Sequence, residues 1–167
     1  KVQFFTDDGA VRAVDGISFD IRPGEILGMV GESGCGKSVT ALSVLRLLAP
    51  SGKIVSGEIN FRGKNLIQAS EREMQQVRGN QISMIFQEPM TSLNPVMTVG
   101  DQVAESLILH KHMPRKEALS ETIRLFESVR IPDAASRIKD YPHQMSGGMR
   151  QRVMIAMAIA CHPALII

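Results

Sequence analysis

The stretch GESGCGKS (Gly31 to Ser38) sets three glycines and a lysine within eight residues, between an apolar run and an apolar helical pattern. Before it, EILGMV (Glu25 to Val30) reads as a buried strand. After it, VTALSVLRLL (Val39 to Leu48) places Leu42, Leu45 and Leu48 on one helical face. Strand, glycine-rich turn and helix in that order predict a phosphate-binding loop. A phosphate needs several N–H donors and no bulky side chain in the way. Glycines let the backbone fold round it. The unpaired N–H groups and dipole at the start of the next helix add to the attraction. The spacing G-x-x-x-x-G-K-[ST] is met by Gly31, Gly36, Lys37 and Ser38. Lys37 is then placed for the β and γ phosphates and the Ser38 hydroxyl for Mg²⁺. A tight turn with an exposed lysine would account for the glycines, but not for the flanking strand and helix.

The rest of the composition sets bounds. A chain of 167 residues can bury one core of ordinary size. It is 44% apolar and 22% charged, as globular proteins are. A net charge of +2 argues neither for nor against nucleic acid. No apolar run approaches a bilayer span, and VMIAMAIAC (Val153 to Cys161) reads as a core helix. No secretory signal is read at the N-terminus. Cys35 and Cys161 suit a reducing compartment and give no metal-site spacing. The ten methionines read as adaptable core packing. Lys1 opens inside an apolar run and ALII (Ala164 to Ile167) reads as a strand stopped in mid-course, so a piece of a longer protein is expected.

Along the chain, GISFDI (Gly16 to Ile21) alternates as a half-buried strand does, and Pro23-Gly24 marks a turn. The helix after the loop should stop before Pro50. KIVSGEINF (Lys53 to Phe61) reads as a strand with an irregularity at Ser56-Gly57. Ser70 and Glu73 form a capping-box pattern for a helix running to about Arg78. QISMIF (Gln81 to Phe86) reads as a buried strand. From Thr98 to Lys139 the pattern is helical, an insertion of about 40 residues, near the lower limit of what folds alone. Thr98 reads as an N-cap, Pro114 as a first helical residue and Asp133 as the cap of a short helix. Ser146 opens a last helix, with Val153, Met157 and Ala160 facing inward.

YPHQMSGGMRQR (Tyr141 to Arg152) holds the second chemical motif. Ser146, Gly147 and Gly148 at a helix start offer a hydroxyl, unhindered N–H groups and a helix dipole to an anion. With both motifs in place, the chain resembles the nucleotide-binding subunit of an ABC transporter along its whole length. GESGCGKS is similar to the Walker A loop, Gln87 to the Q-loop glutamine, and MSGGMRQR to the ABC signature. FQEPMTSLNP (Phe86 to Pro95) and YPHQMSGGMRQRVMIAMA are similar to the oligopeptide and dipeptide importer ATPases, the class that includes nickel and glutathione importers.

The resemblance implies an α/β fold: a P-loop NTPase (ABC ATPase) core, an antiparallel β-subdomain and an inserted helical subdomain, incomplete at the C-terminus. It implies residues 1–97 as β-subdomain and P-loop core, 98–145 as helical subdomain, and 146–167 as signature helix and start of the Walker B strand. ATP and Mg²⁺ are the implied cofactors. Gly31, Ser33, Gly34, Cys35, Gly36, Lys37, Ser38 and Val39 would hold the phosphates. Ser38 and Gln87 would serve the metal, and Lys37 and Gln87 would act in hydrolysis. Ser146, Gly147 and Gly148 would cover the γ-phosphate bound to a second ATPase subunit in a head-to-tail dimer. Phe4, or else Phe5, would stack on adenine. Two membrane permease subunits and an extracytoplasmic binding protein would complete an importer. The chain would lie peripherally on the cytoplasmic face of the inner membrane, without nucleic acid. Glu88 would belong to the coupling region.

Two departures qualify this. Met149 stands where the general signature has Gln, which removes a side-chain contact to nucleotide. The aspartate and glutamate expected after ALII, and a later histidine, are not in the chain. The chain by itself would then bind nucleotide without turnover. His110 and His112 read as surface residues rather than metal ligands. A nucleic-acid-directed ABC ATPase is disfavoured by the peptide-importer strings and the charge, and no N-K-x-D-like string suggests a GTPase.

Overall fold

The computed structural model describes residues 1–7, 9–87 and 92–167. It divides into two compact units, Lys1–Met74 and Gln75–Ile167.

In the first unit, β1 (Val2–Thr6) and β2 (Gly9–Val14) form an antiparallel hairpin, and β3 (Gly52–Ile54) pairs antiparallel on the other side of β1. The register sets Val2 opposite both Val14 and Ile54, and Val2 and Val14 are buried. A smaller hairpin joins β4 (Asn60–Phe61) to β5 (Lys64–Asn65). The expected strand over Lys53–Phe61 is therefore two strands. The break falls at Ser56-Gly57, where Gly57 takes φ +103°. β2 carries little apolar alternation, and its hairpin is a feature that the sequence pattern does not reveal.

The strands expected at Gly16–Ile21 and Glu25–Val30 are not formed. Both stretches are exposed, with Ile26 and Val30 each 96% accessible. An apolar run reports that a segment gains by being covered. A strand also needs a neighbour for its N–H and C=O groups, and the described residues supply none here.

Helix α1 (Lys37–Val44) follows the glycine loop and ends earlier than its leucine pattern suggests. Leu45 is buried at its C-terminus, and Arg46 turns the chain out at φ +53°. Helix α2 (Glu71–Val77) starts at the expected capping box. The Glu73 carboxylate accepts from Ser70 N–H at 2.7 Å, and Ser70 Oγ accepts from Glu73 N–H at 3.4 Å. The Lys64 ammonium bonds the same carboxylate. These partners, Lys64 first and Ser70 next, hold the Glu73 pKa down at about 2.

In the second unit, β6 (Ile82–Ser83) and β7 (Leu165–Ile166) pair in parallel, Ile82 with Leu165 and Ser83 with Ile166. Only the start of QISMIF is in a ladder. The helices are α3 (Val99–Lys111), α4 (Arg115–Ser128), the short α5 (Ala134–Arg137) and α6 (Gly147–Ile159), with a 3₁₀ turn at Pro142–Gln144. Thr98 caps α3, its hydroxyl accepting from Asp101 N–H at 3.2 Å. Pro114 stands one position earlier than expected, at the N-cap of α4. Asp133 sits before α5 at φ +51°, and its side chain caps nothing. Its carbonyl instead accepts from Ser136 N–H and Arg137 N–H.

The core of this unit gathers Val99, Val103 and Leu107 of α3, Ala118 and Phe126 of α4, and Val153 and Ala156 of α6. Met113, Met149 and Met157 pack round it, Met145 and Met154 lie within it, and the methionines here do fill a core. Among the described residues no helix is long and apolar enough to cross a membrane.

Candidate functional site

Two glycine-bearing helix starts carry the candidate chemistry, one in each unit. In the first unit, Gly34 and Gly36 take φ +84° and +95°, the left-handed region that costs a side-chain-bearing residue strain. Gly36 is also hemmed in: a Cβ there would lie 2.5 Å from the Ala13 carbonyl oxygen. Being glycine, Gly36 brings no capping side chain to α1. The first-turn N–H groups of the helix therefore keep their capacity for an outside acceptor.

Lys37 folds back over the loop. Its Nζ donates to the carbonyls of Gly31 at 2.7 Å and Glu32 at 2.8 Å, and lies 3.5 Å from Cys35 Sγ. No carboxylate pairs with it among the described residues. The loop from Gly31 to Lys37 is thus drawn round an ammonium whose bonded oxygens, among the described residues, are all neutral. Ser33, Gly34 and Cys35 are exposed on the loop, Ser38 is exposed on the first turn of α1, and Val39 is half-buried beside it. A glycine-rich loop with N–H groups to spare, one cation and a hydroxyl on the first helical turn fits a polyphosphate with its divalent ion: Lys37 for the phosphate oxygens, Ser38 for the metal. No group of three metal-ligating side chains occurs among the described residues, so a metal would depend on oxygens brought by its ligand.

In the second unit Ser146 caps α6, its Oγ accepting from Met149 N–H at 3.3 Å. Gly147 and Gly148 follow as the first helical residues. Neither has positive φ, and a Cβ on either would meet nothing within 4 Å. Neither backbone strain nor packing within the chain requires glycine there. Gly148 opens on a groove lined by Arg130, Gln151 and Arg152, a positive rim that the motif spacing does not announce. Arg152 is steadied by a bond to the Val129 carbonyl at 2.5 Å. Met149 turns its side chain onto the helical core, so the Gln-to-Met departure places a packing side chain at this position.

The remaining candidates lie on other segments of the chain. Gln87 is exposed, four residues past β6. Phe4 is half-buried in β1, and its ring lies over Gly52, where a Cβ would come within 2.8 Å. Phe5 is the more open ring, 46% accessible, with Lys53 Nζ 5.5 Å from its centroid. Glu88 lies outside the described residues. His112 is exposed, whereas His110 is half-buried and its pKa is lowered, by burial first and then by Lys111 and His112. Cys161 is buried, and burial raises its thiol pKa.

The chain is similar to known proteins. The chain is 55% identical to a probable peptide ABC transporter ATP-binding protein of Sinorhizobium fredii, over all of this chain and 50% of that protein. It is 53% identical to the dipeptide transport ATP-binding protein DppD of Bacillus subtilis (99% of this chain, 50% of the relative). The oligopeptide transport ATP-binding protein OppD of Escherichia coli is also 53% identical (100% and 49%). The chain therefore spans about half the length of the curated relatives it matches. A dimeric, post-hydrolysis ATP-binding cassette bound to ADP and Pi superposes with a TM-score of 0.83 at 24% identity, over 99% of this chain and 72% of that one. At that identity the superposition speaks for the fold, an ABC-type P-loop α/β fold. Residues 14–167 match the family described as ABC transporter, and the chain belongs to it.

Proposed function

We propose that this chain is the nucleotide-binding part of an ATPase subunit that drives peptide import across a cytoplasmic membrane. The observation that carries the reading is the pair of incomplete anion cradles. The Gly31–Val39 loop offers a cation and N–H groups to spare. Ser146, Gly147 and Gly148 offer a second helix start whose glycines no backbone strain or packing among the described residues requires. Each cradle contacts only part of a triphosphate. A second ATPase subunit, docked head to tail, would bring its Ser146 cradle over the nucleotide held by Lys37. ATP would then favour the closed pair because only that state completes the contacts. Lys37 neutralises the phosphates, Ser38 and Gln87 serve Mg²⁺, and Gln87 reports the γ-phosphate to permease subunits. An aromatic ring of β1, Phe4 or Phe5, stacks on the base. Peptide as cargo rests on the 53–55% identity to peptide-transport relatives. A binding protein and two permeases are the partners this implies, with the subunit peripheral on the cytoplasmic face.

The test is ligand-induced thermal stabilisation of the full-length protein. At MgATP about a hundred times its Kd, mass action stabilises the parent by about 2.7 kcal/mol. Lys37→Ala abolishes that gain. Retained stabilisation would show that the main phosphate site is elsewhere.

A further inference from the structure

We infer that Gln102 is a positioning residue, and that the first turn of α3 is the junction tying residues 94–97, downstream of Gln87 in sequence, to the segment that leads into Ser146. The inference rests on the ATPase reading and assigns a role to residues which that reading leaves unused.

Gln102 is only 6% exposed, unusual for an amide near a helix start. Its Oε1 accepts from Asn94 N–H at 2.8 Å, and its Nε2 donates to the carbonyls of Asn94 at 2.9 Å and Met97 at 3.1 Å. Both donors of the amide and its oxygen are thus engaged by one stretch of main chain. Asn94 closes a local turn with its own Oδ1 on Val96 N–H at 3.1 Å. Leu93, one residue before, is buried in the helical core, and Ile85 packs on the same core. Residues 93–97 are therefore fastened to α3.

The same turn holds a second segment. Val99 N–H donates to the Asp140 carbonyl at 2.9 Å, and Gly100 N–H to the Ile138 carbonyl at 3.0 Å. First-turn N–H groups usually go to a capping side chain or to water; here main chain from residues 138 and 140 takes them. A Cβ on Gly100 would lie 2.4 Å from the Ile138 oxygen, so the glycine is there for this approach. From Asp140 the chain runs through the 3₁₀ turn to Ser146. Arg150 of α6 reaches back to the Pro142 carbonyl at 3.3 Å. Arg115 braces the turn through Asp101 at 2.6 Å. A displacement of residues 94–97 would thus move the turn and, with it, residues 138–140. Packed and fully bonded elements transmit shifts that loose loops absorb.

The experiment uses the full-length protein assembled with its transporter partners, with MgATP as the probe. Gln102→Met keeps the length of the side chain and removes all three bonds. Expected is a KM for MgATP within about twofold of the parent and a kcat lower by about tenfold. Gly100→Ala strikes the other fastening and gives the same split, and it decides the matter if Gln102→Met does not fold. A residue that only stabilised the fold would lower Tm and leave kcat per folded molecule unchanged, and that result overturns the inference. A parent that does not hydrolyse MgATP overturns the ATPase reading and this inference with it. A hydrolysing parent with unaffected variants overturns this inference alone.

Discussion

At the scale of single residues, the loop from Gly31 to Ser38 shows how one sequence position serves several constraints. Gly36 answers to a left-handed backbone and to the Ala13 carbonyl at once. Cys35 differs: nothing packs it away, and its sulfur lies beside the Lys37 ammonium. The other thiol, Cys161, is buried against α3, with Sγ 3.5 Å from the Ser106 carbonyl. A maleimide is therefore expected to label Cys35 and spare Cys161 in the folded full-length protein. If the loop holds nucleotide phosphates, bound MgATP shields Cys35. At about a hundred times Kd, only about one molecule in a hundred is free, so labelling slows by about a hundredfold. Mass spectrometry of labelled peptides with and without MgATP reads this directly. Equal labelling rates would place the nucleotide away from Cys35.

At the scale of elements, local chemistry was legible where the chain states it locally. Ser70 with Glu73, Thr98 and Ser146 all cap the helices their spacing announces. The Gly34 and Gly36 turn was legible because only glycine takes that backbone freely. Other features were hidden because they depend on distant partners. The β1–β2 hairpin is made by pairing, not by apolar alternation. Gln102 reads as an ordinary polar residue until the main chain of 94–97 is seen round it. The start of α6 gives a prediction of opposite signs for stability and function. Glycine in a helix costs roughly 0.5–1 kcal/mol relative to alanine, and the space at Gly148 is open within the chain. Gly148→Ala should raise the Tm slightly and yet lower ATP turnover in the full-length protein if, as proposed, a partner's nucleotide fills that space. Thermal melts and steady-state kinetics test both halves. A lowered Tm would mean the helix start is packed after all, and unchanged turnover would mean that nothing approaches Gly148.

At the scale of the whole molecule, the residues from 16 to 31 pose the main energetic question. Ile17, Phe19, Ile21, Ile26, Leu27, Met29 and Val30 are all exposed large hydrophobics in one short stretch. Scattered apolar residues on a surface need no explanation, but a run of this density marks a surface that gains by being covered. Its backbone is equally unsatisfied by any ladder among the described residues, and unpaired N–H and C=O groups beside apolar side chains are open to pairing with another chain. The curated relatives are about twice as long as this chain, so further polypeptide is one source of cover and a second copy is another. The 167-residue chain alone is therefore expected to bind an apolar fluorescent dye strongly and to self-associate as its concentration rises. Replacing the two most exposed side chains, Ile26→Ser with Val30→Ser, should cut both signals. Burying a side chain of this size is worth about 1.5–3 kcal/mol, so the double change removes a large part of the drive to associate. Full-length protein should show little dye binding if its additional residues cover the stretch. Dye titration and sedimentation of the three proteins separate the cases. Equal dye binding by the 167-residue chain and its double variant would place the sticky surface elsewhere. Strong binding by the full-length protein would point to a second subunit, not its own chain, as the cover.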